Sequence, residues 1–113
     1  MDQHREFNRE TWAALKEFGV VPGSPLTIDA FFYCPDESAA QALASELGSN
    51  GWRTDVGSQR TGLLRRRVLW VVEAQYELPA AGLEQFDAMT DELGRLAAAH
   101  GAEFDGWGAH APG

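Results

Sequence analysis

Cysteine is nearly missing from this sequence. Cys34 stands alone among 113 residues, which excludes an internal disulfide and any zinc site built on several thiolates. No window approaches the ~18–20 apolar residues of a membrane-spanning helix. No N-terminal stretch joins basic residues to an apolar run, so no secretory signal is expected, and the cytoplasm is the expected compartment. Positive charge is scarce as well. Nine Lys and Arg stand against seventeen Asp and Glu, giving a net charge of −8 and a pI near 4.7. That balance argues against nucleic acid or an anionic membrane as partner and favours a basic protein surface. The deficit is local: residues 1–67 hold nine acids and eight bases, whereas residues 68–113 hold eight acids and Arg95 alone.

Catalytic machinery is equally sparse. There is no Gly-rich loop with Walker or dinucleotide spacing and no Ser in a nucleophile-elbow context. The three histidines show no i, i+4 pair of the kind that holds a metal on a helix. His4 lies near the N-terminus, His100 at the end of a helical stretch, and His110 in a Gly/Ala/Pro tail. Cys34 falls where a strand meets a helix and reads as a small buried thiol with no activating base. No enzyme activity, metal or cofactor is expected.

What the sequence does contain is one domain's worth of alternating periodicities, with 44% hydrophobic residues. Residues 2–18 read as an amphipathic helix whose stripe is Phe7, Thr11, Ala14, Leu15 and Phe18. "VVPGSP" at 20–25 connects it to a strand, 26–33, on which Leu26, Ile28, Ala30 and Phe32 face one side and Thr27, Asp29, Phe31 and Tyr33 the other. "CPDESAAQALASELGSNG" forms a helix with Asp36 as N-cap and Ala40, Leu43, Ala44 and Leu47 inward. A short strand at 52–56 and a turn-rich "GSQRTG" at 57–62 lead into "RRVLWVVEAQYEL", 66–78, apolar on both faces through its middle and therefore central. Leu83, Phe86, Met89, Thr90, Leu93, Leu96, Ala97 and His100 trace the inner face of a long helix. "AEFDGW" returns as the last strand.

The order from residue 26 is β-α-β-β-α-β, the ferredoxin-like or split βαβ arrangement. The expected fold is α+β: a four-stranded antiparallel sheet with two helices on one face, preceded by an N-terminal amphipathic helix. The single domain, 1–113, divides into that helix (1–19), the core (26–108) and a tail (109–113).

Three features stand out as candidate contacts. Glu84, Asp87 and Asp91 repeat at i, i+3 and i+7 along the outer face of the last helix, with Glu92 beside them. They form either a solvated face or an acidic docking stripe for a basic segment. Phe31 and Tyr33 share the outer face of the first strand, where the N-terminal helix or a partner is expected to cover them. Together with the basic run "RTGLLRRR", 60–67, they also admit a single-stranded RNA reading. The third strand lacks the aromatic consensus of RNA-recognition domains, and the net charge opposes phosphate. Trp107, between Gly106 and Gly108, is either a core cap at the end of the final strand or a recognition anchor.

The ending "EFDGWG", Glu103 to Gly108, resembles the terminal signature of the ribonuclease E inhibitor family, the regulators of ribonuclease activity B, which ends a long helix in Glu-Tyr-Asp-Gly-Trp-Gly. The similarity runs back through "LEQFDAMTDELGRLAAAHGAEFDGWG" and "PLTIDAFFYCPDESAAQALASELGSNGWRTDV" to the leading helix, about residues 2–108. It implies a non-catalytic cytoplasmic protein that binds the scaffold region of ribonuclease E and modulates RNA degradation. Glu84, Asp87, Asp91, Asp105 and Trp107 are the expected partner contacts, with Phe31 and Tyr33 a further contact on the sheet face. An oligomeric small-ligand-binding module is the remaining alternative.

Overall fold

Four strands and three helices form from these periodicities. The computed structural model describes residues 3–65 and 67–110. The expected helix start at Asp2, the strand start at Arg66 and tail residues 111–113 lie outside that description. The elements are α1 (Gln3–Glu17), β1 (Leu26–Cys34), α2 (Glu37–Ser49), β2 (Arg53–Thr61), a 3₁₀ turn (Leu63–Arg65), β3 (Arg67–Leu78), α3 (Leu83–Ala99) and β4 (Glu103–His110). The sheet order is β2-β3-β1-β4, with every neighbouring pair antiparallel. Each β-α-β unit therefore leaves a gap that a strand of the other unit fills.

Alternation along β1 decides the layering. Leu26, Ile28, Ala30, Phe32 and Cys34 are buried, and the residues between them are half-buried. α2 and α3 lie over the buried side. Asp36 caps α2 by accepting from the Ala39 N–H at 2.8 Å, and Ala40, Leu43, Ala44 and Leu47 form its buried stripe. Leu43 and Leu47 are fully enclosed, each worth about 1.5–3 kcal/mol of transfer free energy. On α3 the buried set is Phe86, Met89, Thr90, Leu93, Leu96 and Ala97. β3 is an interior strand, as its two apolar faces require.

The structure departs from the expected pattern at three places. β2 runs through the stretch read as a turn: Gly57 to Thr61 continue an unbroken ladder on β3, and the reversal comes only at Gly62 and the 3₁₀ turn. Gly57, Ser58 and Gln59 have weak strand propensity, but pairing with a strong interior strand overrides it. The α1 stripe is rotated by one residue. Asn8 and Leu15 are buried and Trp12 packs on the core, while Phe18 is 73% exposed and Phe7 and Ala14 are also exposed. Finally, β4 extends to His110, so Ala109 and His110 belong to the sheet rather than to a tail.

β4 also carries a bulge. Phe32 pairs with Phe104 but Phe31 pairs with Gly106, which leaves Asp105 as the extra residue. Simple alternation from Phe104 would turn residue 106 inward; the insertion turns Trp107 inward instead. Phe104 and Trp107 thus both reach the core, Phe104 against Phe32 and Trp107 against Phe86. Gly106 takes φ +142 there, a region that L side chains avoid, although an added Cβ would meet no atom within 4 Å. Gly106→Ala is therefore expected to lower stability by about 1–3 kcal/mol through backbone strain alone. Gly108→Ala, at an ordinary φ with equal space, should be close to neutral in urea unfolding. Equal midpoints for the two variants would refute the backbone account.

Candidate partner-binding surfaces

The first surface is built where α1 meets α3 and β4. Asn8 is at its centre and is fully buried. Its Oδ1 accepts from Trp107 Nε1 at 2.9 Å, and its Nδ2 donates to Asp87 Oδ1 at 2.9 Å and to Thr90 Oγ1 at 3.1 Å. The Thr90 hydroxyl in turn donates to the Asp87 carbonyl at 3.2 Å. Apolar contacts frame this network. Trp12 meets Phe86 edge-on with centroids 5.5 Å apart, Phe7 meets Trp107 at 6.0 Å, and the His4 ring lies 5.1 Å from Phe104.

This arrangement assigns the residues of the acidic stripe to different tasks. Arg5 Nη1 lies 2.9 Å from Asp87 Oδ2, and Arg5 Nη2 lies 2.9 Å from Asp91 Oδ2. Asp87 thus serves the seam between α1 and α3 through both Arg5 and Asn8. Asp91 is at its solvent edge. Glu84 and Asp105 are exposed, Asp105 on the bulge of β4, and Glu92 pairs with Arg95. Trp107 is 5% exposed with its N–H bonded inside the protein, so its indole is in the core rather than on the surface.

The second surface is the face of the sheet opposite α2 and α3. Phe31 and Tyr33 are half-buried on it. α1 packs beside α3 and the inward side of β4, and only its Phe7 reaches the edge of this face, where it shares a small pocket with Phe31, Asp105 and Gly106; among the described residues, the helix leaves Tyr33 to the sheet. Cross-strand partners share a face, so Glu73, Asp55, Glu77 and Glu103 join Asp29 around the two aromatics. One polar row crosses all four strands. Arg53 Nη2 donates to Gln75 Oε1 at 2.9 Å, Gln75 Nε2 donates to Asp29 Oδ1 at 3.2 Å, and His110 Nε2 lies 2.5 Å from Asp29 Oδ2. A shallow groove of about 420 Å³ follows this row between Phe31 and Asp55. Sequence alternation placed Asp29 with Phe31 and Tyr33, but the row depends on strand register, which alternation alone does not reveal. Five acids against Arg53, Arg67 and His110 make this face repel phosphate and suit a basic segment.

The remaining candidates are structural. His100 Nε2 lies 2.6 Å from Glu46 Oε1, tying the end of α3 to α2. Ser24, Ser49 and Thr90 donate their hydroxyl protons to backbone carbonyls. Among the described residues, no three His, Cys, Asp or Glu side chains come together to hold a metal ion, and no helix is long and apolar enough to cross a membrane. Cys34 is buried. Desolvation pushes its thiol pKa up, and the negative charge of Asp36 adds to the shift, so at neutral pH it is a protonated thiol.

Asn8→Ala strands the buried Trp107 N–H and takes one hydrogen bond from Asp87, which keeps Arg5, and should lower stability by about 2–4 kcal/mol in urea unfolding, with tryptophan emission shifting to the red. Arg5→Ala, which breaks the half-exposed ion pairs to Asp87 and Asp91, should change stability by about 0–1 kcal/mol; a larger loss than for Asn8→Ala would overturn this ranking. Cys34 should react with a thiol-specific disulfide reagent about 100-fold more slowly in the native protein than in urea. Native labelling at the unfolded rate would show the thiol to be accessible.

The whole assembly, from α1 through β4, coincides with a known family. Among curated proteins none matches the chain. A family model described as regulator of ribonuclease activity B matches residues 5–109, a span that includes Arg5, Asn8, the α3 acids, the bulge and Trp107. With all but a few terminal residues matched, the chain belongs to the regulator of ribonuclease activity B family.

Proposed function

We propose that this chain is a non-catalytic, cytoplasmic regulator that binds ribonuclease E and so changes its action on transcripts. Membership in a family of regulators of ribonuclease activity implies a partner of ribonuclease type. The observation that carries the finer reading is the acidic character of the exposed surfaces: Glu84 and Asp91 on α3, Asp105 on the bulge, and the five acids around Phe31 and Tyr33. A basic, partly apolar segment of a scaffold complements such a surface in both charge and contact. In this reading Glu84, Asp91 and Asp105 supply the charge, Phe31 and Tyr33 supply apolar area, and Asp87 and Trp107 act from behind by fixing α1. The strand order and the two interleaved β-α-β units support reading the architecture as ferredoxin-like. An RNA-binding role is opposed by the acids on the same face as the aromatics.

The test is calorimetric titration of the purified chain with the non-catalytic scaffold region of ribonuclease E, nuclease-treated to remove RNA. Glu84→Lys with Asp105→Lys should weaken binding about tenfold or more, and more at low salt, while thermal unfolding stays unchanged. Phe31→Ser should weaken it independently. Absence of binding by the unmodified chain would overturn the reading, and unchanged affinity in the charge variants would remove those acids from the contact.

A further inference from the structure

β2 is an edge strand of nine residues with an unbroken ladder on its inner side and, among the described residues, no strand on its outer side. The other edge, β4, is interrupted by its bulge and flanked by α1. Proteins usually blunt a long, flat edge with proline, a bulge or charged side chains; β2 has no proline or bulge, and its charges, Arg53, Asp55 and Arg60, are of mixed sign. Directly beyond β2, the turn carries Leu63 and Leu64, 90% and 72% exposed. Leu64 has φ +64, a left-handed conformation that is unfavourable for leucine and easily met by glycine or asparagine. An exposed leucine pair in a strained turn calls for a contact outside the chain.

The complementary feature is at the other end of the same hairpin. An apolar groove of about 410 Å³ is lined by Trp52, Tyr76, Leu78, Met89 and Leu93, with Asn50 at its mouth. Trp52 and Tyr76 stack in its floor, centroids 5.0 Å apart. Glu77 is exposed at this end of β3, and Glu92 lies on the groove. The turn end of the hairpin is basic, with Arg60 and Arg67 exposed.

We propose that β2 is the interface of a two-fold homodimer, in which two copies pair β2 antiparallel and each inserts its Leu63–Leu64 turn into the apolar groove of the other. Antiparallel pairing about Gly57, the middle residue of β2, sets residue 63 of one copy opposite residue 51 of the other, and residue 64 opposite residue 50. That register delivers the leucines to the groove mouth. It sets Arg53 against Thr61, Asp55 against Gln59 and Arg60 against Thr54, so no like charges are directly opposed. The contact is reciprocal, as a two-fold interface requires, because the turn and the groove are at opposite ends of one strand. The inference stands independently of the ribonuclease reading.

Gly57→Cys tests it. An added Cβ at Gly57 meets nothing within 4 Å, and directly opposed residues in an antiparallel pair, about 4.5–5.5 Å apart at Cα, suit a disulfide. Under mild oxidation Gly57→Cys should form a covalent dimer about tenfold faster than Gly48→Cys, an equally open glycine on α2. Adding Leu63→Asp and Leu64→Asp should slow that cross-linking about tenfold, and the unmodified chain should sediment at twice 12.4 kDa at about 100 µM. A monomeric mass at that concentration, or cross-linking no faster than for Gly48→Cys, would overturn the dimer. An unchanged rate in the leucine variant would overturn the turn-in-groove contact.

Discussion

The rotation of α1 depends on one buried amide. Asn8 is surrounded by the Trp107 indole N–H, the Asp87 carboxylate and the Thr90 hydroxyl, each at hydrogen-bond distance. Turning α1 by one residue would bury Phe7 in its place and gain about 1.5–3 kcal/mol. It would also leave the buried indole N–H without an acceptor, at about 1–3 kcal/mol, and take from Asp87 the Asn8 amide and the Arg5 guanidinium, hydrogen bonds to a charged group worth about 1.5–3 kcal/mol each. The polar arrangement wins, and the rest of the helix follows. Arg5, one turn before Asn8, comes to Asp87 and Asp91; Trp12, one turn after, comes to Phe86; Leu15 reaches the core.

Asn8 can hold Trp107 only because β4 brings the indole to the covered face, and that depends on the bulge at Asp105. The two features are therefore coupled: the bulge sets the side, and the amide fixes the ring. The same bulge, with α1 alongside, interrupts the β4 edge of the sheet. β2 has no such device, and the two edges differ physically for that reason. Gly106 supplies the backbone conformation the bulge needs, while Gly108 simply continues the strand, so the two glycines around Trp107 have unequal roles.

Much of this was legible in the residues themselves. The α2 stripe, its Asp36 cap, the inner face of α3 and the interior position of β3 all follow from period and capping chemistry, because apolar burial dominates there. The α1 stripe is not legible in this way, because a hydrophobic pattern passes over asparagine, and the deciding partner, Trp107, is 99 residues away. The full length of β2 is hidden because Gly57 and Ser58 look like a turn locally, while the ladder on β3 is a tertiary effect. Of the candidate contacts, Glu84 and Asp105 are exposed. The internal engagement of Asp87, Asp91 and Trp107 and the polar row from Arg53 to His110 required the register of strands and helices far apart in sequence.

The separation of charge gives the two proposed interfaces room to coexist. Of the nine bases, Arg53, Arg60, Arg65 and Arg67 belong to the β2–β3 hairpin. Arg5 is engaged with Asp87 and Asp91, so α1 offsets part of the stripe from within. What remains strongly acidic is Glu84, Asp105 and the sheet face around Phe31 and Tyr33. A dimer joined through β2 would bring the least acidic part of each copy together, where self-repulsion at a net charge of −8 is weakest. It would leave both acidic faces turned outward on one extended sheet. A basic scaffold segment long enough to reach both copies would then bind through two linked contacts, and its affinity would rise with the span it covers rather than with any new residue.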